Sequence, residues 1–240
     1  MKRFTRALLD FIFPPLCHVC RTFIPDAEKL HICPACREEL HKVTHPFCTI
    51  CGVPFVGAGS DHACGRCLQH PPSFDVARAA FIHEGSGRRL IHAFKYNQKI
   101  HLRRPLGLLT AQGVADFVNI RNPDLIVPVP LHVKRLRSRG FNQAILLGEV
   151  LCREWKIPLQ RQAIRRIRWT EPQINLTAEQ RRDNVKGAFC VKDANVVAGK
   201  RVLLVDDVFT TGSTVEECAK TLKKARAAEV VVITVARALA

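Results

Sequence analysis

The chain has 240 residues, of which 47% are hydrophobic, and its formal net charge is +16. This length and apolar content exclude a disordered chain and predict one large domain, or a domain with an added module. No stretch approaches the ~18 consecutive apolar residues of a membrane-spanning helix. The charge favours phosphate-rich partners, either nucleic acid or a polyanionic small molecule, although simple solubility would explain it as well.

Residues 1–16 carry basic residues followed by apolar ones, which superficially resembles a secretory signal. Asp10 interrupts the apolar stretch, and Pro14 and Pro15 follow it without a small-residue cleavage site. We therefore predict a short amphipathic helix that packs on the body of a cytoplasmic protein. Contact with a membrane surface is the alternative.

Eight of the eleven cysteines form four CxxC pairs, separated by gaps of nearly equal length. Two such pairs supply the four thiolates of a tetrahedral structural zinc site, so the chain has ligands for up to two zinc ions. We favour sequential pairing over a cross-braced arrangement, which the spacing also allows. A disulfide framework would need an oxidising compartment. The predicted ligands are Cys17, Cys20, Cys33 and Cys36 for one ion, and Cys48, Cys51, Cys64 and Cys67 for the other.

Pro71 and Pro72 mark a predicted boundary between a zinc module, residues 1–70, and a second domain, residues 73–240. The second domain begins with a predicted strand at 75–83 and a helix at 88–96. A longer helix at 102–118 and a buried strand at 124–129 follow.

A cluster of basic residues follows the strand at 124–129, and we predict that it forms a loop. Ligands of open α/β sheets bind at the carboxyl edge of the strands, where this loop would lie. It therefore suits pyrophosphate, although a solvated basic loop is the alternative. Asn142 is placed to cap the next helix. The predicted anion-binding residues are Lys134, Arg135, Arg137 and Arg139, together with Lys95 at the end of the earlier helix.

Residues 158–166 are predicted to form a strand, and the long polar segment 168–189 has the length of an active-site lid. Gln173, Arg181 and Asn184 are candidates for contacts between this lid and a ligand. Each could equally cap or solvate a helical turn at 177–182.

The segment 201–214, RVLLVDDVFTTGST, predicts a buried strand that ends at two carboxylates, followed by a tight turn and a helix. Ser213 and Glu216 have the spacing of a capping box. Backbone N–H groups at a helix start bind phosphate, whereas paired carboxylates suit sugar hydroxyls or hydrated Mg²⁺. The predicted ligand therefore carries phosphate and a diol; its candidate contacts are Asp206, Asp207, Thr210, Thr211, Gly212, Ser213 and Thr214. A strand at 229–235 completes the βαβ unit.

This segment resembles the phosphoribosyl-pyrophosphate (PRPP) motif of class I phosphoribosyltransferases. The whole chain resembles the ComF family, also called ComFC or GntX, through its opening FPPLCHVC with paired CxxC motifs and through RRLIHAFKY, RGFNQ and the PRPP motif. The resemblance implies an α/β phosphoribosyltransferase-like parallel sheet flanked by helices and preceded by a double zinc ribbon. It also implies binding of PRPP with Mg²⁺, and a cytoplasmic role in DNA uptake during natural transformation or in use of external DNA. A helicase-like or DNA-processing partner is implied as well.

Three functions remain open from the sequence. The first is a phosphoribosyltransferase, whose acceptor the sequence does not name. The second is a non-catalytic module that binds single-stranded DNA and a partner protein, although few aromatic residues are available for base stacking (Tyr96, Trp155 and Trp169). The third is a regulator that senses PRPP without consuming it.

Overall fold

The computed structural model describes residues 14–25, 30–170 and 177–239. The predicted helix at 1–16 therefore lies almost entirely outside the described residues. The helices are α1 (Pro34–Glu38), α2 (Gly65–Gln69), α3 (Gly85–Tyr96), α4 (Arg103–Gly113), α5 (Ala115–Arg121), α6 (Val133–Arg139), α7 (Gln143–Trp155), α8 (Ala178–Val185) and α9 (Ser213–Lys224). The strands are β1 (Val76–Ile82), β2 (Leu125–Pro128), β3 (Ile164–Arg166), β4 (Phe189–Val191), β5 (Arg201–Phe209) and β6 (Glu229–Arg237).

Four parallel strands form the main sheet in the order β1-β6-β5-β2, and β3 and β4 form a separate antiparallel pair. The apolar residues of β5 and β6 alternate between the two faces, as strand geometry requires. Leu203 and Val205 pack on one face, while Val202 and Leu204 pack on the other. All four are buried, which explains the unbroken apolar run in the sequence.

Helices cover both faces of this sheet. On one face α3, α4 and α7 contribute buried residues such as Phe94, Leu106 and Leu151. On the other face α9 contributes Val215 and Leu222 at helical spacing. The expected class, an α/β parallel sheet flanked by helices, is confirmed. Within the described residues, no helix is both long enough and apolar enough to cross a bilayer.

Two predicted elements are shorter in the structure than the sequence indicated. The helix predicted at 102–118 is divided into α4 and α5, because the chain leaves helical geometry at Val114. Of the strand predicted at 158–166, only β3 is a regular strand; Leu159 makes an isolated bridge to Ile126 at the edge of the sheet. Pairing with β4 sets the length of β3, which the local sequence does not reveal.

The two cysteine modules pack on opposite faces of the sheet. We call residues 17–36 the first ribbon and residues 48–67 the second ribbon. Cysteines of the first ribbon join the core beneath α3 and α4. Cysteines of the second ribbon join the core that includes α9. The second ribbon is therefore on the same side of the sheet as the helix that follows the predicted phosphate-binding turn.

Candidate functional site

A cavity of about 940 Å³ lies at the carboxyl ends of β2 and β5, the edge at which open α/β sheets bind ligands. It is bordered by the end of α3, by α6, by the start of α7 and by the turn between β5 and α9. Most of the predicted site residues line it: Lys95, Lys134, Arg135, Arg139, Arg181, Asp206, Asp207, Thr210, Gly212, Ser213 and Thr214. Arg137, Thr211 and Asn184 do not line it. Gln173 lies outside the described residues.

The two aspartates lie within β5, and not after its end as the sequence indicated. Asp206 is paired with Thr234 of β6, which extends β5 as far as Phe209. On the other side β2 ends at Pro128, opposite Val205. Because β5 is longer than β2, the acidic pair stands beyond the end of its neighbour and lines the cavity.

A lysine is already paired with this acidic couple. Lys95 Nζ lies 2.7 Å from Asp207 Oδ1, and only 20% and 11% of these side chains are exposed. Asp206 Oδ1 accepts a hydrogen bond of 2.9 Å from the Asp207 N–H. Burial, followed by the neighbouring Asp207 carboxylate, raises the pKa of Asp206 to about 7, although Lys95 acts in the opposite direction. At neutral pH the Asp206 carboxyl is therefore divided between its protonated and ionised forms.

The turn after β5, residues 210–214, presents backbone and hydroxyl groups at the cavity. Gly212 has a left-handed backbone with φ of 78°, which glycine adopts without steric cost. The Thr211 and Ser213 hydroxyls lie 2.9 Å apart. Helix α9 begins at Ser213, where Gly212 supplies no side-chain cap, and the Ser213 N–H lies 3.5 Å from Thr211 Oγ1. The N-terminus of a helix favours an anion. We call residues 210–214 the phosphate loop.

The predicted capping box at this helix start is wrong. The Glu216 carboxylate accepts hydrogen bonds from the Ser73 N–H at 2.9 and 3.0 Å and from the Ser73 hydroxyl at 2.6 Å. It does not cap the N-terminus of its own helix, and Gly212 occupies the N-cap position. Ser73 lies 143 residues away in sequence, so the local pattern could not reveal this contact.

The basic segment predicted as a loop is a helix, α6. His132 caps its start through a 3.2 Å hydrogen bond from the Lys134 N–H to its Nδ1 atom, and Gly140 ends it with φ of 83°. Helical periodicity of 100° per residue explains why Lys134, Arg135 and Arg139 line the cavity and Arg137 does not.

Two cavity residues that were not predicted as ligand contacts each carry a buried donor atom that has no partner among the described residues. These donors are Gln143 Nε2 and Arg166 Nε. Gln143 is only 2% exposed and is the first residue of α7, whose Asn142 cap accepts the predicted hydrogen bond from Ala144 N–H. Gln143 belongs to the RGFNQ motif, which could have indicated it as a ligand contact. No local sequence pattern indicated Arg166.

Two aromatic side chains also line the cavity beside α6. The Trp169 ring lies 5.5 Å from Lys134 Nζ and 6.0 Å from the Arg135 guanidinium. The Arg139 guanidinium lies 5.3 Å from the Tyr96 ring. These distances suit cation–π contacts. Trp169 and Tyr96 are distant from each other in sequence, so their placement on either side of α6 could not be predicted from it.

The predicted lid forms a regular element at its C-terminal end. Helix α8 begins with a reciprocal capping box between Thr177 and Gln180. Arg181 of this helix reaches the cavity. The Asn184 carbonyl accepts a 3.1 Å hydrogen bond from Arg168 Nη2, so its backbone serves the fold of this segment.

The eight CxxC cysteines form two clusters in the sequential pairing favoured above. Within each cluster the four sulfur atoms lie within 4.8 Å of one another, a geometry that fits structural zinc. The clusters repeat a hydrogen-bond pattern: Cys17 Sγ accepts from the Cys33 N–H at 3.4 Å, and Cys48 Sγ accepts from the Cys64 N–H at 3.3 Å. Burial acts to raise the pKa of Cys48, yet backbone hydrogen bonds from Cys64, Cys51 and Ile50 lower it to about 6, whereas burial raises the pKa of Cys51 and Cys67 in the same cluster.

Comparison with known proteins agrees with this arrangement. A family profile described as a double zinc ribbon domain matches residues 8–68, and one described as a phosphoribosyl transferase domain matches residues 146–240. Competence protein F of Haemophilus influenzae is 36% identical over 86% of this chain and 96% of its own length. The chain belongs to the ComF family.

A second relative of this ComF-family protein is the DNA utilization protein YhgH of Salmonella typhimurium. It is 35% identical over 94% of this chain and 98% of its own length. Among solved structures, the glutamine PRPP amidotransferase from B. subtilis is 25% identical, with a TM-score of 0.39. The similarity covers 55% of this chain and 26% of that one.

Proposed function

We propose that the cavity binds PRPP together with Mg²⁺, and that the protein uses this site in the uptake or use of external DNA. One observation carries the proposal. Acidic, hydroxylic and basic groups from distant parts of the chain meet in a single cavity at the carboxyl edge of the sheet. The names of the Haemophilus and Salmonella relatives supply the biological setting.

The residues present suit such a ligand. The phosphate loop and the start of α9 would hold the 5′-phosphate, and Asp206 and Asp207 would hold the ribose hydroxyls or hydrated Mg²⁺. Lys134 and Arg139 would neutralise the pyrophosphate. The unpartnered donors Gln143 Nε2 and Arg166 Nε fit an anionic occupant, because buried donors without acceptors are costly.

In a transferase these residues would act by positioning the substrate and by neutralising the leaving group. We assign no protein nucleophile among the described residues that line the cavity, so the acceptor would supply the attacking atom. A PRPP sensor would use the same contacts without turnover. Incubation with PRPP, Mg²⁺ and a panel of nucleobases separates the two: release of pyrophosphate supports a transferase, and binding without release supports a sensor.

Isothermal titration of the protein with PRPP and Mg²⁺ tests the binding proposal. We expect saturable binding that Asp206→Asn combined with Asp207→Asn weakens at least about tenfold, since both changes remove acceptors for the sugar or metal. Asp116→Asn is a control on α5, because this exposed acid does not line the cavity. Absence of heat with the unmodified protein would refute the proposal.

A second candidate is binding of single-stranded DNA, which the aromatic and basic walls beside α6 favour. Trp169 and Tyr96 would stack bases while the cations of α6 contact phosphates. DNA affinity should then fall steeply with salt concentration, and Arg139→Ala should reduce the slope of log affinity against log salt by about one. A slope that is flat, or unchanged by this substitution, counts against DNA binding at this face.

A further inference from the structure

A hydrogen bond joins the second ribbon to the phosphate loop. Arg66, which lies between the cysteines Cys64 and Cys67, donates from Nη2 to the Thr211 carbonyl oxygen at 2.7 Å. Because C=O and N–H of a trans peptide point in opposite directions, this contact turns the Gly212 N–H away from the ribbon. Gly212 lines the cavity, so Arg66 sets the direction of a donor in the phosphate loop.

A second set of contacts links the second ribbon to Phe209, the residue just before the phosphate loop. Arg237, at the end of β6, is 7% exposed and donates from Nη1 to the Cys51 carbonyl at 2.6 Å. Its Nη2 lies 3.5 Å from the Cys51 sulfur. Its guanidinium also lies 4.5 Å from the centre of the Phe209 ring. One buried cation therefore touches both a predicted zinc ligand and an aromatic ring at the start of the loop.

The Phe209 ring in turn supports Gly212. A Cβ atom added to Gly212 would lie 2.5 Å from the ring, so the loop backbone rests directly on this side chain. Phe74, which follows the second ribbon, packs edge-on against Phe209 with ring centres 5.9 Å apart. Together with the Ser73–Glu216 contact, these interactions hold both ends of the loop against the second ribbon and the residues that follow it.

The first ribbon is built differently at the matching position. It has Ala35 between Cys33 and Cys36, where the second ribbon has Arg66. Next to it, Glu39 accepts hydrogen bonds from Ser86 at 2.9 Å and from Arg89, both on α3. The segment just after the first ribbon thus contacts α3, whereas the second ribbon contacts the phosphate loop.

We infer that Arg66 is a positioning residue for the phosphate loop, through which the second ribbon and its zinc shape the anion site. This inference rests on the proposed function, because its effect on affinity is measured with PRPP. The four cysteines of the second ribbon fit the metal, and Arg66 would transmit their arrangement to residues 210–214.

The test compares Arg66→Ala, Arg66→Lys and Arg37→Ala in the full chain. Arg37→Ala removes the same charge from a residue next to the CxxC pair of the first ribbon. We expect Arg66→Ala to weaken PRPP binding about three- to tenfold, since one charge-assisted hydrogen bond is lost. Arg66→Lys should recover part of the loss, and Arg37→Ala should bind as the unmodified protein does.

Two further measurements separate positioning from general damage. Zinc content and melting temperature should be unchanged in Arg66→Ala, while hydrogen exchange at residues 210–214 should become faster than in Arg37→Ala. Equal affinity and equal exchange in the two variants would overturn the role of Arg66 and leave the proposed function standing. If the unmodified protein does not bind PRPP, the proposed function fails, and with it the effect of Arg66 on affinity.

Discussion

The elevated pKa of Asp206 predicts that affinity for PRPP and Mg²⁺ rises with pH. If binding needs the ionised carboxyl, apparent affinity scales with the ionised fraction. A pKa of about 7 gives an ionised fraction of about 9% at pH 6 and about 91% at pH 8. This carboxyl alone should therefore strengthen binding about tenfold between these pH values.

The ligand also titrates, and a matched variant separates the two effects. A phosphate monoester has a second pKa of about 6, so its dianion fraction increases only about twofold between pH 6 and 8. We expect titration calorimetry at constant ionic strength to give about a twentyfold change for the unmodified protein. Asp206→Asn should bind more weakly and keep only the twofold change of the ligand. Equal pH dependence in the two proteins would refute the assignment of this titration to Asp206.

The same carboxyl makes a prediction about stability. Its folded pKa of about 7 lies above its ordinary value of 3.8, so the folded state binds the proton more tightly. The associated stabilisation is complete below pH 3.8 and is lost as the pH rises through about 7. Denaturant unfolding should therefore show Asp206→Asn gaining stability relative to the unmodified protein between pH 5 and pH 8. A difference in unfolding free energy between the two proteins that stays constant from pH 5 to pH 8 would contradict the raised pKa of Asp206.

Three further substitutions or treatments test other parts of the structure. Gly212→Ala should destabilise the fold by about 1–3 kcal/mol in chemical denaturation, because of its left-handed backbone and its contact with the Phe209 ring. Chelation should remove about two zinc ions per chain and lower the melting temperature, since structural zinc contributes to folding; an unchanged melting curve after complete metal loss would contradict this. Arg139→Ala should weaken PRPP binding in titration calorimetry more than Arg137→Ala, because Arg139 lines the cavity and Arg137 does not. Equal losses of affinity would point to a nonspecific charge effect.

Features encoded by short, strongly patterned segments could be predicted from the sequence. The apolar run of β5 indicated burial on both faces, and the CxxC spacing indicated two four-cysteine clusters. The side chain of Asn142 indicated the start of α7, where it accepts hydrogen bonds from two backbone N–H groups. In each case the pattern that indicates the structure lies in residues that are neighbours in sequence.

Features set by distant partners could not be predicted in this way. Glu216 has the spacing of a capping residue, but Ser73 binds it and leaves the start of α9 open to the cavity. The length of β5 depends on β6, which extends the strand through both aspartates. The charges of α6 show no amphipathic period in the sequence, because this short helix has no buried residue. Its orientation depends on the cavity that it borders.

The ion pair between Lys95 and Asp207 reconciles the acidic and basic halves of the proposed site. In the structure, a cation of the protein neutralises the acidic pair that would otherwise face the cavity uncompensated. A hydrated Mg²⁺ at Asp207 would take over this role and release the Lys95 ammonium group for the pyrophosphate. Lys95 also opposes the rise in the pKa of Asp206, so Lys95→Ala should move the pH dependence of binding to higher pH. A pH profile that does not move would show that Lys95 does not act on this carboxyl, and the proposed exchange of partners would then be wrong.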